Sequence, residues 1–251
     1  MKIAVALKVV PDGQDIQVAG DRTLDYSKAK LTISEYDKNA VEIGAQLAAG
    51  AGAEAVAVTV GGKNIDNSKI KKDMLARGLS QLFMAADDSL ADLDARGTAA
   101  ALAAEIAKAD GVDLVILGDG SADNYVNQVD VQLAAKLGWP VVTAASSIAV
   151  DGDALTITRA LEDCTETVTV ALPAVVSVTP DVAVPRIPGM KDILAAGKKP
   201  MAVEGAVEVP AAALETVECL APEQVARKQE ILDAAADGAI ETFAAAVKAA
   251  L

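Results

Sequence analysis

The chain has 251 residues, with 22 basic and 36 acidic side chains, a formal net charge of -14 and no histidine. That balance repels a phosphate backbone and excludes nucleic acid as a partner, while the missing imidazole excludes histidine triads, the usual zinc catalysis and a histidine base near neutral pH. Hydrophobic residues make up 52% but aromatics only 2%, an Ala- and Val-rich mixture that suits parallel strands packed under Ala-rich helices.

The first strand is expected over residues 3–10. The chain enters it directly from Met1-Lys2, so no secretory leader is expected. Nowhere does it reach the ~18 consecutive apolar residues of a membrane span, so a cytoplasmic protein without membrane insertion is expected. Lys8, in Leu7-Lys8-Val9-Val10-Pro11-Asp12, occupies a position that a parallel strand would fill with an apolar residue. It either approaches a phosphate or flavin or snorkels at an edge. Ser34-Glu35-Tyr36-Asp37 leads into a helix over 37–49, where Asp37 is either N-cap or ligand contact. A second strand, 55–60, ends in Val60-Gly61-Gly62-Lys63 and places Val60 at the ligand edge. The helix over 65–77 carries Lys69, Lys71, Lys72 and Arg77, a basic face read as solvated. A strand at 82–85, a helix at 94–109 and a strand at 113–117 continue the alternation.

That last strand runs into Gly118-Asp119-Gly120-Ser121-Ala122-Asp123-Asn124-Tyr125-Val126-Asn127-Gln128, and a helix over 127–137 begins there. A turn at the carboxyl end of parallel strands faces ligand, and the free N–H groups of a helix start favour phosphate. Gly118 and Gly120 would admit a phosphate close to the backbone, Ser121 would donate a hydroxyl, and Asp123 would accept from a ribose hydroxyl or cap the turn. The competing account is an ordinary βα loop that satisfies its own backbone. Neither GxGxxG nor a P-loop occurs.

A short strand at 141–143 follows, and beyond residue 145 the texture changes. Alternation over 155–159 and 165–172, with turns at Asp151-Gly152-Asp153 and Glu162-Asp163-Cys164, predicts antiparallel strands. A buried strand follows at 173–178. The two cysteines, Cys164 and Cys219, lack metal-ligand spacing and fit reduced thiols. Pro180, Pro185, Pro188, Gly189, Gly197 and Pro200 then punctuate the chain, and helices are expected over 222–236 and 239–251. The fold class is α/β: a mostly parallel, doubly wound nucleotide-binding sheet with antiparallel strands after residue 145. Its C-terminal tail packs on its own domain or reaches over a partner subunit.

From the N-terminus to Pro200, several segments in order resemble the beta (small) subunit of electron transfer flavoproteins. They are Val5-Ala6-Leu7-Lys8-Val9-Val10-Pro11-Asp12, Tyr36-Asp37-Lys38-Asn39-Ala40-Val41-Glu42, the Gly118 loop, Arg159-Ala160-Leu161-Glu162-Asp163 with Glu166-Thr167, Leu172-Pro173-Ala174-Val175-Val176, Pro185-Arg186-Ile187-Pro188 and Ala195-Ala196-Gly197-Lys198-Lys199-Pro200. The wording from Gly118 to Asp123 is closest to members linked with nitrogen fixation and carnitine-type acyl-CoA metabolism.

The resemblance implies a heterodimer whose alpha subunit holds an electron-carrying FAD, while this chain holds an adenine nucleotide, either AMP or a second FAD. The implied pocket takes Ala6 and Lys8 from the first strand, Ser34 and Asp37 from the loop before the first helix, and Val60 from the second βα loop. Gly118, Asp119, Gly120, Ser121 and Asp123 complete it, with Tyr125, Val126, Asn127, Gln128 and Val129. Arg186, Met190 and Ile193 are implied to meet an acyl-CoA dehydrogenase-type flavoenzyme. With a second FAD, the complex alone would carry NADH-dependent electron bifurcation, one electron going to ferredoxin or flavodoxin and the other to a quinone or acyl-CoA partner. Residues 1–185 would form the nucleotide-binding domain and 186–251 the recognition loop and an arm around the alpha subunit. A form with structural AMP and a stand-alone nucleotide-binding protein are the alternatives. The sequence departs from the usual pattern at Ser34-Glu35, where Asn-Pro is common, and at Ala160, where many relatives carry an acid facing the partner's flavin domain. It departs again at Asp130, a common Gly, which adds negative charge beside a phosphate unless its side chain turns away.

Overall fold

The computed structural model describes residues 1–227 and 229–250. Strand β1 (Lys2–Ala6) is followed by four short strands, β2 (Val9–Pro11), β3 (Gln17–Val18), β4 (Leu24–Asp25) and β5 (Leu31–Ile33). These make two antiparallel ribbons, β2 with β5 and β3 with β4. Then α1 (Glu35–Ala51), β6 (Glu54–Gly61), α2 (Ser68–Ala76), β7 (Leu82–Ala86), α3 (Ala95–Lys108), β8 (Leu114–Gly118) and α4 (Val129–Leu137) alternate. After them come β9 (Val141–Asp151), β10 (Ala154–Ala160), β11 (Thr165–Ala171), β12 (Ala174–Val178), α5 (Met190–Ala196), β13 (Met201–Glu204) and α6 (Ala239–Ala250).

Nine strands form one sheet in the order β11-β10-β9-β12-β8-β1-β6-β7-β13. Seven run parallel, from β9 to β13, and β10 and β11 extend one edge as an antiparallel hairpin. The parallel strands are apolar on both faces because helices cover both. Alternate residues serve opposite cores: Ile3, Val5 and Ile116 pack with Val41 and Met74 on the side of α1 and α2, whereas Ala4, Val56 and Val115 pack with Leu102, Ile106 and Leu133 on the side of α3 and α4. Ala99, Leu102, Ala103 and Ile106 recur at the helical period and give α3 its buried stripe.

The connections fix where a ligand can enter. From β1 the chain steps outward to β6 and β7, then returns over β1 to β8, skips one position to β9 and the β10–β11 hairpin, and comes back as β12 between β8 and β9. The direction of winding reverses between β1 and β8, and their carboxyl ends diverge into the crevice where open α/β sheets bind ligands.

Some boundaries differ from those predicted. The strand expected over 3–10 breaks after Ala6, and Val9–Pro11 leaves the main sheet to pair with Leu31–Ile33, so the apolar residues on either side of Lys8 hide a break at Leu7-Lys8. The strand expected at 141–143 continues to Asp151 through a register shift, with Ala144 at φ 57 as the extra residue that restarts the alternation. The last βα helix starts at Val129 rather than 127, because Tyr125 (φ 44) and Asn127 (φ 55) occupy the left-handed region. Residues 222–227 and 229–236 form no helix. Val225 and Ile231 are exposed there, and no apolar face is buried to support one. No helix among the described residues is long and apolar enough to cross a membrane.

Candidate functional site

Asp37 is the centre of the crevice. The structure corrects its capping role: α1 begins two residues earlier with Ser34 as N-cap, so Asp37 lies inside the first turn and is buried. Its Oδ2 accepts from the Lys8 amide at 2.7 Å and its Oδ1 from the Gly118 amide at 3.0 Å. One carboxylate thereby ties together the ends of β1 and β8, the two strands that part at the switch point. Burial is the dominant influence and pushes the Asp37 carboxyl up to about 7, against the two amide hydrogen bonds that favour its charge.

Around this tie the sequence-predicted residues assemble as follows. Ser34 is fully buried, and its Oγ accepts from the Ala122 amide at 3.2 Å, so the loop before α1 holds the loop after β8. The Lys8 ammonium reaches across the crevice to Asp123 at 2.6 Å. Burial opposes ionisation of Asp123, but hydrogen bonds from Lys8 and Ser121 with the Lys8 charge outweigh it and hold the carboxyl below its usual value. Ala6 is buried at the end of β1, level with Val58, and Val60 lies two residues further along β6 at the same edge of the sheet. Val126, Asn127 and Gln128 are exposed at the start of α4, with Val129 half-buried.

The glycines of the loop serve the protein's own side chains. A Cβ on Gly118 would lie 2.8 Å from Asp37 Oδ1, and one on Gly120 would lie 2.3 Å from the Tyr125 ring. Tyr125 folds over Gly120, donates its hydroxyl to Asp119 Oδ2 at 2.8 Å, and meets the Tyr36 ring with centroids 5.0 Å apart. The Asp119 carboxylate pushes the Tyr125 phenol up to about 12. Asp119 is held in turn: its amide donates to the Val178 carbonyl and its own carbonyl accepts from Asn127 Nδ2 at 2.6 Å. Tyr36 was not among the predicted contacts. Its signal was compositional, since aromatics make up only 2% of the chain and one of the few pairs with another at this rim.

Asp130 does not add charge to the crevice. It is buried, accepts from the Ser177 hydroxyl, and turns its other oxygen to the Val131 amide at 2.8 Å. What faces outward is one ammonium, one carboxylate and the N-terminal end of α4. That set fits a phosphorylated ribose: a cation for phosphate, an acceptor for a sugar hydroxyl, and helix-start amides for a second anionic oxygen.

The predicted partner residues are all exposed. Met190 and Ile193 lie on α5, and Arg186, 43% exposed, also pairs with the buried Glu42, with Nε–Oε2 at 2.7 Å and Nη2–Oε1 at 2.9 Å. Two grooves lie away from the crevice. One of ≈ 1070 Å³ runs between α3 and α4 beside Glu208, Val209 and Pro210, and one of ≈ 610 Å³ lies between β5, α2 and Ile193.

A doubly wound sheet with a polar crevice at its switch point is the architecture of the nucleotide-binding α/β proteins. Residues 22–212 match the family profile described as the electron transfer flavoprotein domain. The chain belongs to the electron transfer flavoprotein family.

Proposed function

We propose that this chain is the beta subunit of a heterodimeric electron transfer flavoprotein, binding an adenine nucleotide in the crevice between β1 and β8. The single observation that carries the reading is the Asp37 tie, which fixes Lys8, Asp123 and the Gly118 loop around the switch point of a family domain. The bound flavin supplies the electron-carrying chemistry. The chain's own residues bind and orient: Lys8 would exchange its Asp123 contact for a phosphate oxygen, Asp123 would accept from a ribose hydroxyl, and Tyr36 with Tyr125 would close the rim.

The second nucleotide is proposed as FAD, with AMP as the alternative. In the FAD form the complex divides electrons between a ferredoxin or flavodoxin and a quinone or acyl-CoA partner. In the AMP form the nucleotide stabilises the fold by mass action. The exposed face of Val184, Ile187 and Met190 is proposed to dock an acyl-CoA dehydrogenase-type flavoenzyme. Residues 205–251 are proposed to embrace the alpha subunit.

Flavin and adenine-nucleotide content of the co-purified heterodimer tests the reading. Two FAD per dimer supports the bifurcating form, and one FAD with one AMP supports the other. A stable heterodimer with no nucleotide in this chain would overturn the crevice assignment. Failure to form any heterodimer would leave a stand-alone nucleotide-binding protein.

A further inference from the structure

Arg186 is seated in a socket built by two elements, α1 and the end of α2. Glu42, on the second turn of α1, takes its guanidinium in a two-pronged pair and also accepts from the Arg186 amide at 3.1 Å. Gln46, one turn later, donates to Glu42 Oε1 at 2.8 Å and completes the acceptor. The Arg186 hydrogen bond, with Gln46 in support, holds the buried Glu42 carboxyl down at about 2, against its burial. From the end of α2, Arg77 Nη1 donates to the Arg186 carbonyl at 3.0 Å. Gly78 leaves the space the guanidinium fills, since a Cβ there would come 3.1 Å from Arg186 Nη1. Upstream, Asn39 Nδ2 donates to the carbonyls of Pro180 and Ala183.

The flanking apolar side chains are left in solvent. Val184 is 88% exposed, Ile187 95% and Met190 73%. A segment so firmly held at Arg186 has no need of solvent-facing apolar residues for its own packing. An irregular stretch rich in proline would otherwise sample many arrangements of the three, and ordering them at the moment of binding would cost affinity. Fixing the segment in advance removes that cost.

We infer that Glu42, acting through Arg186, is a positioning residue: the socket presets the geometry of the Val184, Ile187 and Met190 face that a flavoenzyme partner meets. Arg186 is a half-exposed anchor whose guanidinium is engaged by the buried Glu42. The inference rests on the docking assignment proposed above. Its position on α1 adds a consequence. The helix that holds this face at Asn39 and Glu42 also ties the crevice at Asp37, so one rigid element sets the position of both sites while their variants act independently.

The test uses the full heterodimer, co-expressed with its alpha subunit and reduced by an acyl-CoA dehydrogenase carrying its acyl-CoA, with flavin absorbance as the readout. Glu42→Ala and Arg186→Ala are each expected to raise the KM for the flavoprotein about tenfold, with kcat and nucleotide content unchanged. The double variant is expected to cost no more than either single one, because both remove the same pair. Arg186→Lys, which keeps the charge but loses the fork, is expected to fall between. Hydrogen exchange in the heterodimer should quicken over residues 180–194 alone. Unchanged KM in the single variants, or losses that add in the double, overturns the inference. Ile187→Ser and Met190→Ser separate the two layers: if they raise KM while the socket variants do not, only the positioning role fails, and if they leave KM unchanged, the docking assignment fails and the inference with it.

Discussion

Asp37 and Lys8 differ in burial, and on the proposed function they divide the work of the crevice between structure and binding. Asp37 is buried and bonded to two backbone amides, so replacing it by Asn leaves one amide without its acceptor and is expected to cost about 1–3 kcal/mol of stability. Its titration gives a sharper expectation. Burial raises the folded-state carboxyl from 3.8 to about 7, so ionisation costs the folded chain more than the unfolded one. The stability associated with Asp37 is then full below about pH 4 and lost as the pH rises through about 7. Asn does not titrate, so the advantage of the wild type over Asp37→Asn, read from urea midpoints, should shrink between about pH 5 and about pH 8. A constant difference would show that the carboxyl stays ionised throughout. Lys8, by contrast, is partly exposed and pairs only with Asp123. Lys8→Met is expected to leave the fold intact and to weaken adenine-nucleotide binding about tenfold to a hundredfold, measured by calorimetry on nucleotide-stripped protein.

At the scale of elements, the Gly118 loop depends on Tyr125 more than on glycine freedom. Gly120→Ala would place a methyl group 2.3 Å from the Tyr125 ring, expelling it from Asp119 and Tyr36. The expected outcome is loss of bound nucleotide with a thermal midpoint within about 4 °C of wild type, and adding Tyr125→Ala should restore part of the binding by removing the collision. This loop also marks how far the sequence could be read. The alternation of apolar runs and helical stripes located the parallel strands, and Gly118 and Gly120 marked the loop at the carboxyl end of β8, because both are local patterns. The break at Leu7-Lys8 was hidden by apolar residues on either side. Asp37 looked like a cap because its partners Lys8 and Gly118 are 29 and 81 residues away. Glu42 with Arg186 and Asp130 with Ser177 are likewise distant pairs, 144 and 47 residues apart. Each is a side chain whose role is set by the fold rather than by its neighbours in the chain.

Over the whole molecule, apolar surface is distributed unevenly. The sheet and α1 to α4 bury their stripes on both faces, whereas the chain after β13 leaves Leu214, Val217, Val225, Ile231, Ile240 and Phe243 exposed, and α6 buries none of its described residues. Among the described residues, the contacts of this tail with the body include the Ala213 amide on Asp94 at 2.7 Å, the Ala221 amide on the Arg22 carbonyl at 2.9 Å, an exposed pairing of Arg22 with Glu223, and Glu208, Val209 and Pro210 beside α3 and α4. An exposed ion pair of that kind contributes little. A tail with so much uncovered apolar surface is suited to a second protein, and this separates folding from assembly. Truncation after Ala212 is expected to leave the unfolding midpoint of the isolated chain within about 2 °C of full length, because no buried stripe is removed. The same truncation should abolish co-elution with the alpha subunit in gel filtration. If the truncated chain still formed a stable heterodimer, the surface for the alpha subunit would lie on the sheet edge or helices instead. If it failed to fold, the tail would be part of the core.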